Sequence, residues 1–278
     1  MFSHDFVRDA YIAGTPIALA CGLIGWFAVL RAQVFAGDAL SHVAFVGAIA
    51  AAVAGVDERV GLFAFTLAVA LGIAALGGRR GEADDAAIGI VFAWVLGVGV
   101  LLLAVLATTP RGSAGVTLAN TLFGSIFSLT SGASLLAAAV ALIVACALCV
   151  MLRPLLLSTL DGELATVRGV PVRALGAAFL GLLAAVTAQS TQAVGALLLL
   201  GLLAAPAGAA HLLTARPYRG LALAAGIAVA SMWGGLALSY AVPSLPPSSA
   251  IIGFAAAAYV GAALWRWERA RSPLHQTT

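Results

Sequence analysis

Long apolar runs, separated by short clusters of charge, Gly and Pro, set the organisation of this chain. A helix that crosses a bilayer needs about 20 mostly apolar residues. Nine segments meet or approach that length: 11–30, 39–55, 60–77, 86–107, 133–152, 172–188, 193–213, 220–241 and 248–266. The breaks between them fall at Val56-Asp57-Glu58-Arg59, from Gly77 to Asp85, at Arg216-Pro217 and from Pro243 to Pro247. These residue types punctuate helices. The pattern predicts an all-α polytopic membrane protein of about nine transmembrane helices, one domain over residues 1–278. Two connections differ from the rest. Residues 108–132 are long and semi-polar, with an apolar patch from Leu118 to Leu129 that suits a re-entrant or surface helix. Residues 155–173 are too charged to span, yet keep the apolar spacing of a short amphipathic helix, a docking point for a soluble partner.

Composition agrees with the pattern. Hydrophobic residues make up 63% of the chain and charged residues 9%, against about 25% charged in a soluble domain. Water cannot be the solvent for such a surface, so the lipid bilayer must be. Every basic side chain is Arg, and there is no Lys. A Walker P-loop needs its Lys at the phosphates, so ATP, where it drives this protein, is hydrolysed by another chain. A retinal Schiff base is excluded for the same reason. Nothing in the pattern suggests a nucleic-acid partner. Cys21, Cys146 and Cys149 lie inside apolar runs and read as small packing residues. The leader carries Asp5 and Asp9 against Arg8. It is not basic, so the first apolar run reads as a retained span rather than a signal peptide.

The arginines give a direction. With nine spans and an extracytoplasmic N-terminus, the inside segments hold Arg31, Arg79, Arg80, Arg153, Arg168, Arg173, Arg216, Arg219, Arg266, Arg269 and Arg271, and the outside ones only Arg8, Arg59 and Arg111. Basic residues concentrate on the cytoplasmic side, so the expected orientation is N-terminus out, C-terminus in, across a bacterial inner membrane.

Of the acidic residues, Asp38 alone opens an apolar run; the others read as loops or tails. His42 follows four residues later, and on a helix the two share a face, with Ser41 beside them. Carboxylate with imidazole suits a divalent transition metal, and an ionisable pair at the edge of a membrane helix is a functional candidate. A helix N-cap Asp with an incidental His fits the same residues. Two ligands also make an incomplete site, which a two-fold dimer would double. His4 and His275 read as solvated tails, and His211 as an interfacial residue at a helix end. Pro206 interrupts the seventh run, as a tolerated kink or as the shaper of a pathway. A membrane hydrolase fits poorly, because Ser41 and His42 diverge on a helix and no G-x-S-x-G occurs.

The segment Gly37-Asp38-Ala39-Leu40-Ser41-His42-Val43-Ala44, with the small apolar residues that follow to Ala51, resembles the signature of the metal-ion permeases of the ABC-3 family. Leu160-Asp161-Gly162-Glu163-Leu164-Ala165 with Arg168-Gly169-Val170-Pro171 resembles that family's cytoplasmic coupling segment. Val194-Gly195-Ala196 through Pro206 resembles its glycine-to-proline helix, and Leu122-Phe123-Gly124-Ser125-Ile126 is a weaker fourth match. The resemblance covers residues 10–265 and implies a fold like the vitamin B12 and siderophore importers. It implies a homodimer of permeases over two ATP-binding subunits, fed by an extracytoplasmic metal-binding protein, moving an ion by alternating access. It implies that Asp38 and His42 meet the ion, that Ser41 and Pro206 line or gate the pathway, and that Leu160, Asp161, Glu163, Ala165 and Gly169 belong to the ATPase contact. The family more often has an arginine at the position of His211, so the role of His211 stays open. The cargo binds transiently, with no permanent cofactor. An Asp-His pair favours Zn2+ over Mn2+ or ferrous iron by intrinsic affinity, so the expected cargo is zinc, with manganese next. A siderophore or cobalamin permease of the same architecture is the more distant alternative.

Overall fold

A computed structural model of the protein describes residues 5–76, 85–108, 124, 126–196, 199–242 and 244–271. All regular structure in these residues is helical. The helices are α1 (Asp5–Leu30), α2 (Val34–Ala54), α3 (Glu58–Leu76), α4 (Asp85–Thr108), α5 (Ser131–Leu160), α6 (Gly162–Val167), α7 (Val172–Val194), α8 (Leu199–Leu213), α9 (Pro217–Ala241) and α10 (Pro247–Arg271). A 3-10 turn, Ile126–Ser128, precedes α5. Most of the segment 108–132, and with it the expected surface helix, lies outside the described residues.

Eight of the described helices are long and apolar enough to cross a membrane, and α8, with 15 residues, is a shorter apolar helix. The expected spans are therefore present, but several ends differ: α1 starts at Asp5 rather than 11, α2 at Val34 rather than 39, and α5 runs to Leu160 rather than 152. The sixth span runs on to Val194 rather than ending at 188, and the seventh starts at Leu199 rather than 193. The cause is Gly195, whose φ of 95° is open to glycine but costly for other residues. It ends α7 beyond the polar cluster Gln189-Ser190-Thr191-Gln192, which polarity alone marks as the boundary.

Helix α1 is the hub, packed against α5, α7, α8 and α9. Its residues Ile17, Cys21, Ile24 and Phe27 are fully buried or nearly so. Large apolar side chains are instead exposed on the outer faces of α4 and α5, among them Trp94, Leu101, Ile143 and Val150. Lipid covers those faces; it does not by itself drive helices together, so close contact and polar ties must. Gly22 supplies one close contact: a Cβ there would sit 2.6 Å from the Ala224 carbonyl oxygen of α9. Gly25, one turn on, brings the α1 backbone onto the Leu203 carbonyl of α8. Polar ties join the same elements. Trp233 Nε1 donates to Thr15 Oγ1 at 2.9 Å, and Cys21 Sγ meets Ser190 Oγ of α7 at 3.0 Å.

Candidate metal pathway and coupling segment

The pair singled out by the sequence sits on α2, and the way α2 begins tests the capping reading. Leu30 ends α1, and the turn Arg31-Ala32-Gln33 reverses the chain. Gln33 N–H donates back to the Ala28 carbonyl at 2.7 Å, and Ala32 takes the left-handed φ of 53°. Helix α2 then starts at Val34 with Gln33 as its N-cap. Asp38 is thus already one turn inside the helix and cannot be its cap. The capping alternative falls, and the carboxylate has no structural task at the helix start.

One stripe of α2 packs into the protein. A Cβ on Gly37 would lie 3.1 Å from Leu203 Cδ2 of α8, and Ala44 and Ala48 cluster with Leu62 and Ala188. Ser41 belongs to this buried stripe. Its hydroxyl is shared between the Asp38 carbonyl at 2.7 Å and the Ala196 carbonyl at 3.0 Å. Ser41 is therefore turned into the protein, tying α2 to the break between α7 and α8. Asp38 and His42 stand at the edge of that stripe, and both are half-buried. The His42 ring lies 5.4 Å from the Phe92 ring of α4, and Phe35 meets the same ring at 6.3 Å. Among the described residues no cluster of three or more His, Cys, Asp or Glu is present that could hold a metal ion. One copy of the chain offers the pair and no closed cage.

The break itself is held from the other side. Gly124, at a φ of 73°, lies so close that a Cβ would be 2.5 Å from the Val194 carbonyl carbon and 2.6 Å from the Gly195 nitrogen. This is the glycine of the fourth sequence match; Leu122, Phe123 and Ser125 beside it lie outside the described residues. Pro206 is buried inside α8. It removes the backbone donor that would meet the Leu202 carbonyl. Leu203, on the preceding turn, is the residue that packs on Gly37 beside Asp38.

The candidate coupling segment, residues 155–173, begins at the far end of α5. That helix has 30 residues, a length of about 45 Å, and outruns the ~30 Å hydrocarbon core. Asp161 ends it with extended backbone and caps the next helix, accepting the Leu164 N–H at 2.8 Å. The short α6 closes at Gly169, whose φ of 76° turns the chain while Val170 N–H bonds the Ala165 carbonyl at 3.0 Å. The five residues assigned to this segment therefore differ in placement. Asp161 and Gly169 shape the helix ends, Ala165 is fully buried and packs inward, and Leu160 and Glu163 face out. Beside Leu160, Leu164 and Val167 are also exposed, at 66%, 39% and 84%. Leu164 and Val167, three apart on α6, share one face, and Leu160 ends α5 across the Asp161 break. Leu164 and Val167 were legible in the sequence as that spacing, but the family motif drew attention to Leu160, Asp161, Glu163, Ala165 and Gly169 instead.

Two expectations change. Asp9 is no tail residue: it lies within α1, is 5% exposed, and accepts a hydrogen bond from Ser131 Oγ at the start of α5. His211 is not simply interfacial. Its ring stacks on buried Trp26 of α1, centroids 4.9 Å apart and 14° between planes, and its Nε2 lies 3.1 Å from the Trp26 carbonyl. A carbonyl only accepts, so Nε2 carries the proton. His211 is a strut between α1 and α8.

Comparison with known proteins places this architecture. The manganese transport system membrane protein MntC of Halalkalibacterium halodurans is 32% identical over 239 residues, covering 86% of this chain and 80% of MntC. Among solved structures, the PsaBC complex of Streptococcus pneumoniae bound to a Fab contains a chain that superposes with a TM-score of 0.80 at 24% identity, covering 94% of this chain and 92% of that one. The chain of a metal-chelate type ABC transporter in an inward-facing conformation superposes with a TM-score of 0.63 at 18% identity, covering 94% and 86%. The expected importer fold is thus the observed one. The family model described as the ABC 3 transport family matches residues 3–266. The chain belongs to that family, as a multi-pass, non-catalytic permease subunit of a metal-ion ABC transporter.

Proposed function

We propose that this permease imports manganese, with Asp38 and His42 as transient ligands on the ion's way through the membrane. The observation that carries this reading is the half-buried carboxylate and imidazole one turn apart on α2, free of the capping role. A carboxylate oxygen and an imidazole nitrogen replace part of the hydration shell of a divalent ion. Two such ligands per chain hold it weakly, which suits passage better than a closed site does. A second copy with its α2 near a shared two-fold axis would bring four ligands to one ion. Ser41 acts by fixing α2, and Pro206 by loosening α8 beside it.

The ion differs from the first expectation. Affinity order alone favours zinc, but MntC, which shares 32% of its aligned residues with this chain, is named for manganese. Selectivity for manganese against the affinity order then rests with the protein that delivers the ion, an extracytoplasmic metal-binding partner. The excess of arginine in the inside segments supports an extracytoplasmic N-terminus. In that orientation α6 faces the cytoplasm. The exposed Leu164 and Val167 of α6, with Leu160 at the end of α5, form the docking surface for the ATP-binding subunit, whose closure biases the spans between two packings.

The test is uptake of radiolabelled manganese and zinc by cells that express this chain with its ATPase and binding protein. Manganese accumulates, and excess unlabelled zinc competes only where it loads the binding protein. Accumulation of zinc with no movement of manganese would return the cargo to zinc. Movement of neither ion would overturn the metal reading.

A further inference from the structure

Among the described residues, Arg31 is a buried cation with no part in the ion pathway or the docking face. Arg31 follows the last residue of α1 and is only 7% exposed. An arginine that merely sets topology points to water or lipid phosphates; this one points inward. Its Nε donates to Gln33 Oε1 at 3.3 Å, and one terminal nitrogen donates to Thr159 Oγ1 at 3.0 Å. Its guanidinium carbon stands 5.4 Å from the centre of the Phe179 ring of α7. The Thr159 hydroxyl passes the chain on, donating to the Leu155 carbonyl at 2.7 Å.

These contacts join two places of consequence. Thr159 stands next to Leu160 of the docking face and two residues before the Asp161 cap of α6. Gln33 is the N-cap of α2, five residues before Asp38. The turn between α1 and α2 is tight and its Ala32 is left-handed, so it transmits displacement rather than absorbing it. A buried charge is expensive, and an apolar residue of similar size would fill the same space. The planar guanidinium fork can hold two partners in fixed geometry, which Lys cannot do.

We propose that Arg31 is a positioning residue that couples α6 to α2, so that movement imposed at the docking face shifts the Asp38–His42 helix. The proposal rests on the reading of residues 155–173 as the ATPase contact. Its mechanical content is a rigid tie from Thr159 through Arg31 to Gln33.

The experiment uses the full transporter, reconstituted with its ATPase and binding protein, and measures manganese ions moved per ATP hydrolysed. Thr159→Val keeps the shape and removes the hydroxyl; Thr159→Ser keeps the hydroxyl. The expected result is at least a fivefold fall in ions per ATP for Thr159→Val with hydrolysis continuing, and a near wild-type ratio for Thr159→Ser. Arg31→Met added to Thr159→Val lowers the ratio no further, because Thr159, Arg31 and Gln33 form one serial tie that either change interrupts. A wild-type ratio in Thr159→Val, or losses that multiply in the double variant, would overturn the proposal. Leu164→Asp separates the two claims. If it leaves assembly and coupling intact, the docking reading itself falls. If it uncouples and Thr159→Val does not, only the role of Arg31 falls.

Discussion

Replacing Ser41 by alanine separates two accounts of the same residue. The family signature puts Ser41 on the ion pathway, whereas its side chain points into the protein, with its hydroxyl 3.0 Å from the Ala196 carbonyl. Ser41 is 1% exposed and Ala196 fully buried. The substitution deletes the tie across 155 residues of sequence between α2 and the α7–α8 break, and leaves a buried carbonyl one donor short. Such a loss costs roughly 1–3 kcal/mol. For a chain of this size each kcal/mol moves the melting temperature by about 2–4 °C, so a fall of roughly 2–12 °C is expected. The assay is thermal unfolding of the detergent-solubilised protein, followed by intrinsic fluorescence, with manganese uptake measured in parallel at matched membrane abundance. A lower melting temperature with an unchanged apparent KM for the ion agrees with the structure. An unchanged melting temperature with a raised KM would show that the hydroxyl meets the ion, and would refute the buried-tie reasoning.

Other perturbations follow from the same contacts. Gly124→Ala must force both a left-handed alanine and a Cβ 2.5 Å from the Val194 carbonyl carbon; a loss above ~2 kcal/mol is expected, seen as reduced folded yield, and a normal yield contradicts it. His211→Ala removes a stack and a hydrogen bond to Trp26, together roughly 1–3 kcal/mol. His211→Phe keeps the stack and recovers part of that stability, with uptake per folded molecule unchanged; a collapse of uptake at normal stability would place His211 on the pathway. A ligating imidazole must be neutral, so uptake with a saturated binding protein declines in acid, and uptake that acid leaves unchanged counts against His42.

Much of this was legible in the sequence because membrane helices declare themselves by length and apolarity. The pairing of Asp38 with His42 was legible because i and i+4 share a helical face. Two residues escaped because their roles depend on partners far away in the chain. Asp9 reads as part of a polar leader until Ser131, 122 residues on, is seen to bond it. Arg31 counts as one more inside arginine until Thr159 and Phe179 are placed beside it. The α7–α8 boundary was lost for a local reason. Gly195 sits in an apolar stretch where a tolerated glycine and a chain-breaking one look alike, and only its φ of 95° tells them apart.

The central claim is that Asp38 and His42 handle the ion, and direct transport by variants tests it best. Asp38→Ala and His42→Ala are expressed with the ATPase and binding protein, their membrane levels matched to wild type, and radiolabelled manganese uptake is followed. The account predicts that both variants lose uptake while folding and assembling normally. Uptake at the wild-type rate in either variant would contradict it.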